Sequence, residues 1–287
     1  MSAKNLQSTL VKKFIPERKS SSRKGENGVV LVVGGSYIYH GAPILSSLAA
    51  LRAGSDLVYS SVPKINAQST RSISPNLIVL PLVDSKLTRG AANKLLGQIP
   101  HGLNSATIGM GLAVKDIKSL ETLIKPLLNR DVKLSLDASA LVSGILPTIS
   151  NQNVVVTPHA GEFKRLFGEV PVNPIKERIK IVEKFAKKFQ VTILLKGPTD
   201  IISDGKKTFL NPKKTPAMTV GGTGDVLSGI TAAFLARNRN SLESASAAAY
   251  VNGLAGKQVQ RKLGLHMVAS DLIDVLPSVL KPYDRIR

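Results

Sequence analysis

Gly221-Gly222-Thr223-Gly224-Asp225-Val226-Leu227-Ser228-Gly229-Ile230 is the stretch on which the reading of this chain turns. The small-residue run Ala232-Ala233-Phe234-Leu235-Ala236 follows it and predicts a helix over 224–237. Glycines open backbone conformations closed to other residues. Set just before a helix, their N–H groups can converge on an anion, assisted by the helix dipole. Asp225 then stands beside that anion hole, where a carboxylate repels phosphate. Two readings account for it. It is a base that deprotonates a hydroxyl attacking a phosphoryl group, or it is an N-cap on a glycine-rich turn.

Upstream of this stretch the chain alternates. Gly28-Val29-Val30-Leu31-Val32-Val33 is a β-branched run closed by Gly34-Gly35, which predicts a buried parallel strand. Further strands are expected at 57–60, 77–80, 106–109, 133–136, 154–157 and 191–195. Helices are expected at 42–52, 88–99, 115–129, 162–167 and 174–189. Residues 200–203 and 207–210, joined by Asp204-Gly205, form a predicted hairpin. Helices over 241–262 and 269–280 complete the chain. The alternation implies an α/β fold in three layers, with a mostly parallel sheet of about eight strands covered on both faces. Residues 1–25 are expected to be a basic lead-in, helical or loose, and 26–287 one domain.

Ligands of such sheets bind beyond the C-terminal ends of the strands. The chemically suggestive residues fall there. Gly34-Gly35-Ser36 lacks the spacing of a dinucleotide fingerprint, and no Gly-Lys-Ser/Thr loop occurs. In Thr157-Pro158-His159-Ala160-Gly161-Glu162, His159 can hydrogen-bond a substrate and Glu162 can hold a hydrated Mg²⁺. The same pattern also reads as a helix start with Thr157 as cap and Glu162 favouring the dipole. Lys196-Gly197 sets a cation and bare backbone against a phosphate, or is a lysine leaving the sheet before a turn glycine. Asp137 is a site carboxylate or a cap for 138–142.

Composition narrows the function. Among 287 residues there is no cysteine and no tryptophan, so disulfides, thiolate metal sites and cysteine nucleophiles are excluded. A cysteine-free chain fits a cytoplasmic protein. No apolar run is long enough for a membrane span, and no membrane partner is expected. The formal net charge of +20 favours anionic partners. The basic N-terminal stretch lacks interleaved aromatic residues for base stacking, so nucleic acid is not an expected partner. The excess charge reads as a basic solvated surface.

Taken together, the motifs resemble one family. Gly-Gly-Thr-Gly-Asp-Val-Leu-Ser-Gly at 221–229 looks like the anion hole and catalytic Asp of the ribokinase-like superfamily. Val155 to Phe163, Lys196-Gly197 and Gly41-Ala42-Pro43 with its helix resemble the ADP/ATP-dependent NAD(P)H-hydrate dehydratases. Order and spacing agree from about residue 25 to 280. The Thr-Pro-His-x-Gly-Glu segment discriminates within the superfamily, of which hydroxyethylthiazole kinase is an alternative member. Two positions depart from the family pattern. Gly109-Met110-Gly111 stands where Gly-Pro-Gly is common, and Asp137-Ala138-Ser139-Ala140-Leu141 lacks the second carboxylate of Asp-Ala-Asp-Ala-Leu.

The resemblance implies a ribokinase-like three-layer sandwich that repairs hydrated NADH and NADPH. ADP or ATP would phosphorylate the C6 hydroxyl, and loss of phosphate would restore the ring double bond. By the same resemblance Asp225 would deprotonate that hydroxyl, and the amides of Gly222, Thr223 and Gly224 would hold the phosphoryl group. Ala42, Gly111 and His159 would contact the hydrated dinucleotide. Lys196, Gly197, Pro198, Thr199, Asp200 and Gly224 would line the AMP part of the nucleotide. Glu162 would orient Mg²⁺ through water. A homotetramer is implied as well, and an NAD(P)H-hydrate epimerase on a separate chain, since the lead-in is too short for that domain.

Overall fold

The computed structural model describes residues 3–213, 215–238 and 240–287. Its strands are β1 (Lys4–Asn5), β2 (Val29–Val33), β3 (Leu57–Pro63), β4 (Ile78–Leu82), β5 (Ser105–Ile108), β6 (Lys133–Leu136), β7 (Val154–Val156), β8 (Thr192–Leu195), β9 (Thr199–Ser203) and β10 (Thr208–Pro212). The helices are α1 (Ser8–Phe14), α2 (Gly41–Arg52), α3 (Lys64–Ile73), α4 (Arg89–Leu96), α5 (Ile117–Asn129), α6 (Leu146–Ile149), α7 (Ala160–Phe167), α8 (Ile175–Phe189), α9 (Thr223–Arg237), α10 (Ser241–Leu263) and α11 (Ala269–Leu280).

All ten strands join one sheet in the order β1-β10-β9-β8-β7-β6-β5-β2-β3-β4. From β4 to β8 neighbouring strands are parallel, and the hairpin β9–β10 adds the antiparallel pairs. The sheet is larger than the eight strands expected. Part of the difference lies in the lead-in, where Lys4–Asn5 pairs parallel with β10 as an edge strand. Helix α1, also in the lead-in, contributes Val11 and Phe14 to the core, and Phe14 meets Phe209 of β10 edge to face. β4 carries Pro81 within the strand, which an edge position tolerates because no further neighbour needs its missing N–H.

Two apolar cores cover the two faces. β2 shows why: all five residues are buried, with Val30 and Val32 in one core and Val29, Leu31 and Val33 in the other. The first core joins α2, α9, α10 and α11 to the sheet, and the second joins α4, α5, α7 and α8. α2 and α9 pack unusually close. A Cβ at Gly229 would fall 2.0 Å from the Ser46 carbonyl oxygen, so only glycine lets the helices approach this far. Among the described residues no helix is long and apolar enough to cross a membrane.

The chain winds outward from β2 to β4 on one side, then from β5 to β8 on the other. The reversal lies between β2 and β5, whose C-terminal ends touch: Gly35 N–H donates to the Met110 carbonyl at 2.8 Å. Met110 itself is fully buried. Ser139, at the position where the family's second carboxylate is missing, ties its loop to the Gly109 carbonyl through Oγ at 2.8 Å.

Candidate active site

Three strand ends and one helix start meet at the C-terminal edge of the sheet. β6 leads into Asp137, β8 into Lys196, the turn after β7 into His159 and Glu162, and α9 carries Asp225 on its first turn. α9 is capped by Gly222 at φ +94°, and no side chain caps it. A Cβ at Gly222 would lie 2.8 Å from both Ala269 Cβ and Leu45 Cδ1. Among the described residues, the first amides of the helix therefore have neither an intrahelical acceptor nor a side-chain one.

Asp225 is not the cap. It occupies the third helical position, and its carboxylate makes no hydrogen bond among the described residues. Its main chain is held instead, by Ser46 Oγ donating to the Asp225 carbonyl at 2.6 Å. Burial is the main cause that raises its pKa, and the negative charges of Asp137 and Glu162 add to it. Lys196 opposes them, and the result is about 7. Such a carboxyl is poised to take a proton near neutral pH.

The neighbours of Asp225 form a network. Lys196 Nζ donates to Asp137 Oδ1 at 2.8 Å and lies 3.5 Å from Glu162 Oε2. Burial works against the ammonium, but the two carboxylates outweigh it and hold the Lys196 pKa above its usual value. Ser228 Oγ donates to Asp137 Oδ2 at 2.8 Å. Asp137 thus faces the site with both oxygens engaged and does not cap the turn after it. Ser228 was not among the sequence candidates, although its place one turn after Asp225 puts both on one side of α9.

His159, rather than Thr157, caps α7. Its Nδ1 accepts from Gly161 N–H at 3.0 Å and Glu162 N–H at 3.3 Å, and Glu162 Oε2 accepts from His159 N–H at 2.9 Å. The helix-start reading of this segment therefore holds, with a different cap. It leaves His159 at the rim of a cleft.

The cleft has a volume of about 700 Å³ and runs between Lys196-Gly197-Pro198 and Gly221-Gly222-Thr223-Gly224. Lys196 Nζ would be 3.5 Å from a Cβ at Gly224, so the cation faces the helix start directly. A larger cavity of about 820 Å³ lies by Asn151–Val154, Val191 and Asn238, at the opposite ends of the strands. It contains none of the candidate residues, and the strand-end rule favours the smaller cleft.

Thr199 and Asp200 do not line the cleft. Asp200 is almost fully buried, and its carboxylate accepts from Gly197 N–H at 3.1 Å and Asn211 Nδ2 at 3.1 Å, with Lys213 Nζ at 2.8 Å. It shapes the Lys196-Gly197 loop from behind. Ala42 and Gly111 are also outside the cleft but close to each other: a Cβ at Gly111 would lie 3.2 Å from Ala42 Cβ and 2.7 Å from Tyr39 Cβ.

Among the described residues, no group of three or more His, Asp or Glu side chains could hold a metal ion. Asp137 and Glu162 are occupied by Lys196. The donor set fits Mg²⁺ only as an ion carried by phosphate oxygens and water.

Fold and site together define a class. A ribokinase-like superfamily protein from Enterococcus faecalis V583 has a similar structure, with a TM-score of 0.83 and 25% identity over 98% of this chain and 96% of its own. An ADP/ATP-dependent NAD(P)H-hydrate dehydratase from Bacillus subtilis, co-crystallized with ATP/Mg²⁺, gives a TM-score of 0.85 at 28% identity, covering 99% of this chain and 100% of its own. In sequence, the chain is 69% identical over 286 residues to an ADP-dependent (S)-NAD(P)H-hydrate dehydratase of Nitrosopumilus maritimus, with 100% of each covered. The family described as NAD(P)H-hydrate dehydratase matches residues 30–278, and this chain belongs to that family.

Proposed function

We infer that the protein restores NADH and NADPH from their C6-hydrated forms, using ADP as phosphoryl donor. The donor follows the name of the Nitrosopumilus maritimus relative. The observation that carries the chemistry is Asp225: a carboxyl with no hydrogen-bond partner among the described residues, poised near pH 7 at a helix start whose amides are open. Hydroxide is a poor leaving group, so the hydroxyl is converted to a phosphate first.

In this reading Ala42, Gly111 and His159 hold the hydrated dinucleotide with its C6 hydroxyl against Asp225. The Asp225 carboxylate takes the hydroxyl proton as the oxygen attacks the terminal phosphorus of ADP. The open amides of Gly222, Thr223 and Gly224 receive the charge on the transferring group, each such donor being worth roughly 3–4 kcal/mol in the transition state. Lys196 faces the same anion from β8. Lys196, Gly197 and Pro198 line the AMP moiety of the product, and Thr199 and Asp200 set the loop that presents them. Mg²⁺, arriving with the nucleotide and outer-sphere to Glu162, supplies counter-charge to the phosphates. Departure of phosphate from C6, with loss of a C5 proton, re-forms the ring double bond.

A kinase of the hydroxyethylthiazole type would stop at the phosphorylated product. Incubation with hydrated NADH, Mg²⁺ and either ADP or ATP separates the two. Regained reduced-nicotinamide absorbance, matched mole for mole by released phosphate, supports the dehydratase. A stable phosphorylated product without either signal would overturn it. The same reading includes a homotetramer, measurable by light scattering, a cytoplasmic location, and an epimerase on another chain supplying the reactive epimer.

A further inference from the structure

We propose that Asn252 is the residue that selects the base of the nucleotide, by pairing with a 6-aminopurine. This rests on the nucleotide-dependent reading above. Asn252 lies on α10, is 3% exposed and lines the cleft. Its Oδ1 is buried with no hydrogen-bond partner, and no other bond to its side chain occurs among the described residues. A buried amide oxygen left unpaired costs stability, so its presence calls for a partner that is supplied on binding.

The surroundings indicate what that partner is. The buried α10 residues about Asn252 are mostly small: Ala248, Ala249, Gly253, Ala255 and Gly256. Met218 packs directly on Gly256, with its Sδ 2.1 Å from where a Cβ would stand. Pro198, Met218 and Leu227 give the cleft apolar walls, and Asn252 is its one amide side chain among the described residues. Phosphates anchored on the Gly222–Gly224 amides leave the base for the rest of the cleft, whose lining includes Leu227, one turn further along α9, and Asn252. A flat heteroaromatic ring fits apolar walls, and a lone planar amide then reads its edge.

An Asn amide presents one acceptor and one donor side by side, which match the N6 amino group and N7 of adenine. The same edge of guanine or hypoxanthine offers two acceptors, which leaves Oδ1 unpaired as it is in the free protein. Discrimination against a base that fails to satisfy a buried polar atom is larger than that against a missing methylene.

The test compares ADP with IDP, which differs in having a carbonyl at C6 in place of the amine. Both are titrated by calorimetry into the wild type and into Asn252→Leu, a variant with the same branched skeleton that removes the unpaired oxygen. Thermal melting checks that the variant folds. The wild type is expected to bind ADP at least roughly tenfold more tightly than IDP, and Asn252→Leu to bring the ratio close to one by weakening ADP. An ADP:IDP ratio unchanged in the folded variant would overturn the assignment while leaving the functional reading intact. A wild type that binds neither diphosphate would overturn that reading and this one together. If Asn252→Leu does not fold, Asn252→Asp gives the same decision, since the carboxylate keeps the acceptor but loses the donor to N7, and an unaltered ratio again refutes the pairing.

Discussion

Lys196 and Asp137 are 59 positions apart in the chain and 2.8 Å apart in space, a nearly buried ion pair joining the ends of β8 and β6. Glu162 shares the same ammonium at 3.5 Å. One cation of the cleft lining therefore neutralises two carboxylates. Removing it leaves both uncompensated, and breaking a buried pair from one side typically costs roughly 3–5 kcal/mol. Lys196→Met is expected to be destabilised on that scale in urea unfolding and to bind ADP more weakly. Adding Asp137→Asn should recover part of the lost stability, because one of the stranded charges is gone. Strict additivity of the two changes would contradict the coupling.

Asp137 also acts on Asp225. Burial is the first cause of the raised Asp225 pKa, and the Asp137 charge comes next. A base must be ionised to work, so the wild-type rate should rise with pH along a limb centred at about 7. Asp137→Asn removes a neighbouring negative charge and makes ionisation of Asp225 easier. The limb should then move to lower pH. Single-turnover rates at a series of pH values check this, and a limb that stays in place or moves upward contradicts the coupling.

Much of this architecture is legible in the sequence, for local reasons. Gly222 and Gly224 before a helical run announce a helix start with open amides, and Asp204-Gly205 announces a hairpin. The alternation from β2 to β8 carries the parallel sheet. What was not legible is mostly long-range. Nothing in local pattern ties Ser228 to Asp137, 91 positions away. Lys4–Asn5 is too short to show a strand period and is defined only by its partner β10. His159 replaced Thr157 as the cap because α7 starts later than Pro158 suggests, and an imidazole nitrogen can accept the free amides as a hydroxyl does. Asn252 sits in a run of small residues, where its meaning depends on the cleft it faces.

The contact between α2 and α9 gives a prediction for stability. At Gly229 a Cβ would lie 2.0 Å from the Ser46 carbonyl oxygen and 3.0 Å from Ala49 Cβ. Backbone cannot yield as a flexible side chain can, so Gly229→Ala must push the helices apart. Overpacking of this kind costs roughly 1–3 kcal/mol or more. Since Ser46 also holds the Asp225 carbonyl, the shift should lower turnover as well. Thermal melting and a rate assay test both effects, and an unchanged melting temperature would mean the helices are not packed as closely as described.

Asp225→Asn separates chemistry from structure most cleanly. Asn keeps the shape and cannot accept the hydroxyl proton, so turnover should fall by roughly 10²–10⁴-fold. Nucleotide binding should be retained or tighten, because no carboxylate faces the phosphates. Stability has its own sign. The folded-state pKa of Asp225 is raised from 3.8 to about 7. Between those values the folded protein holds a proton that the unfolded chain has lost, so wild-type stability from this group falls as pH rises through that window and levels off above it. The amide does not titrate and escapes the loss. Asp225→Asn should therefore gain on the wild type across that window and be the more stable protein at pH 8, by up to roughly 2–4 kcal/mol. Melting temperatures at a series of pH values and a single-turnover rate measure both halves. A variant retaining more than about a tenth of the rate defeats the base assignment, and a stability difference that does not change with pH defeats the account of its burial.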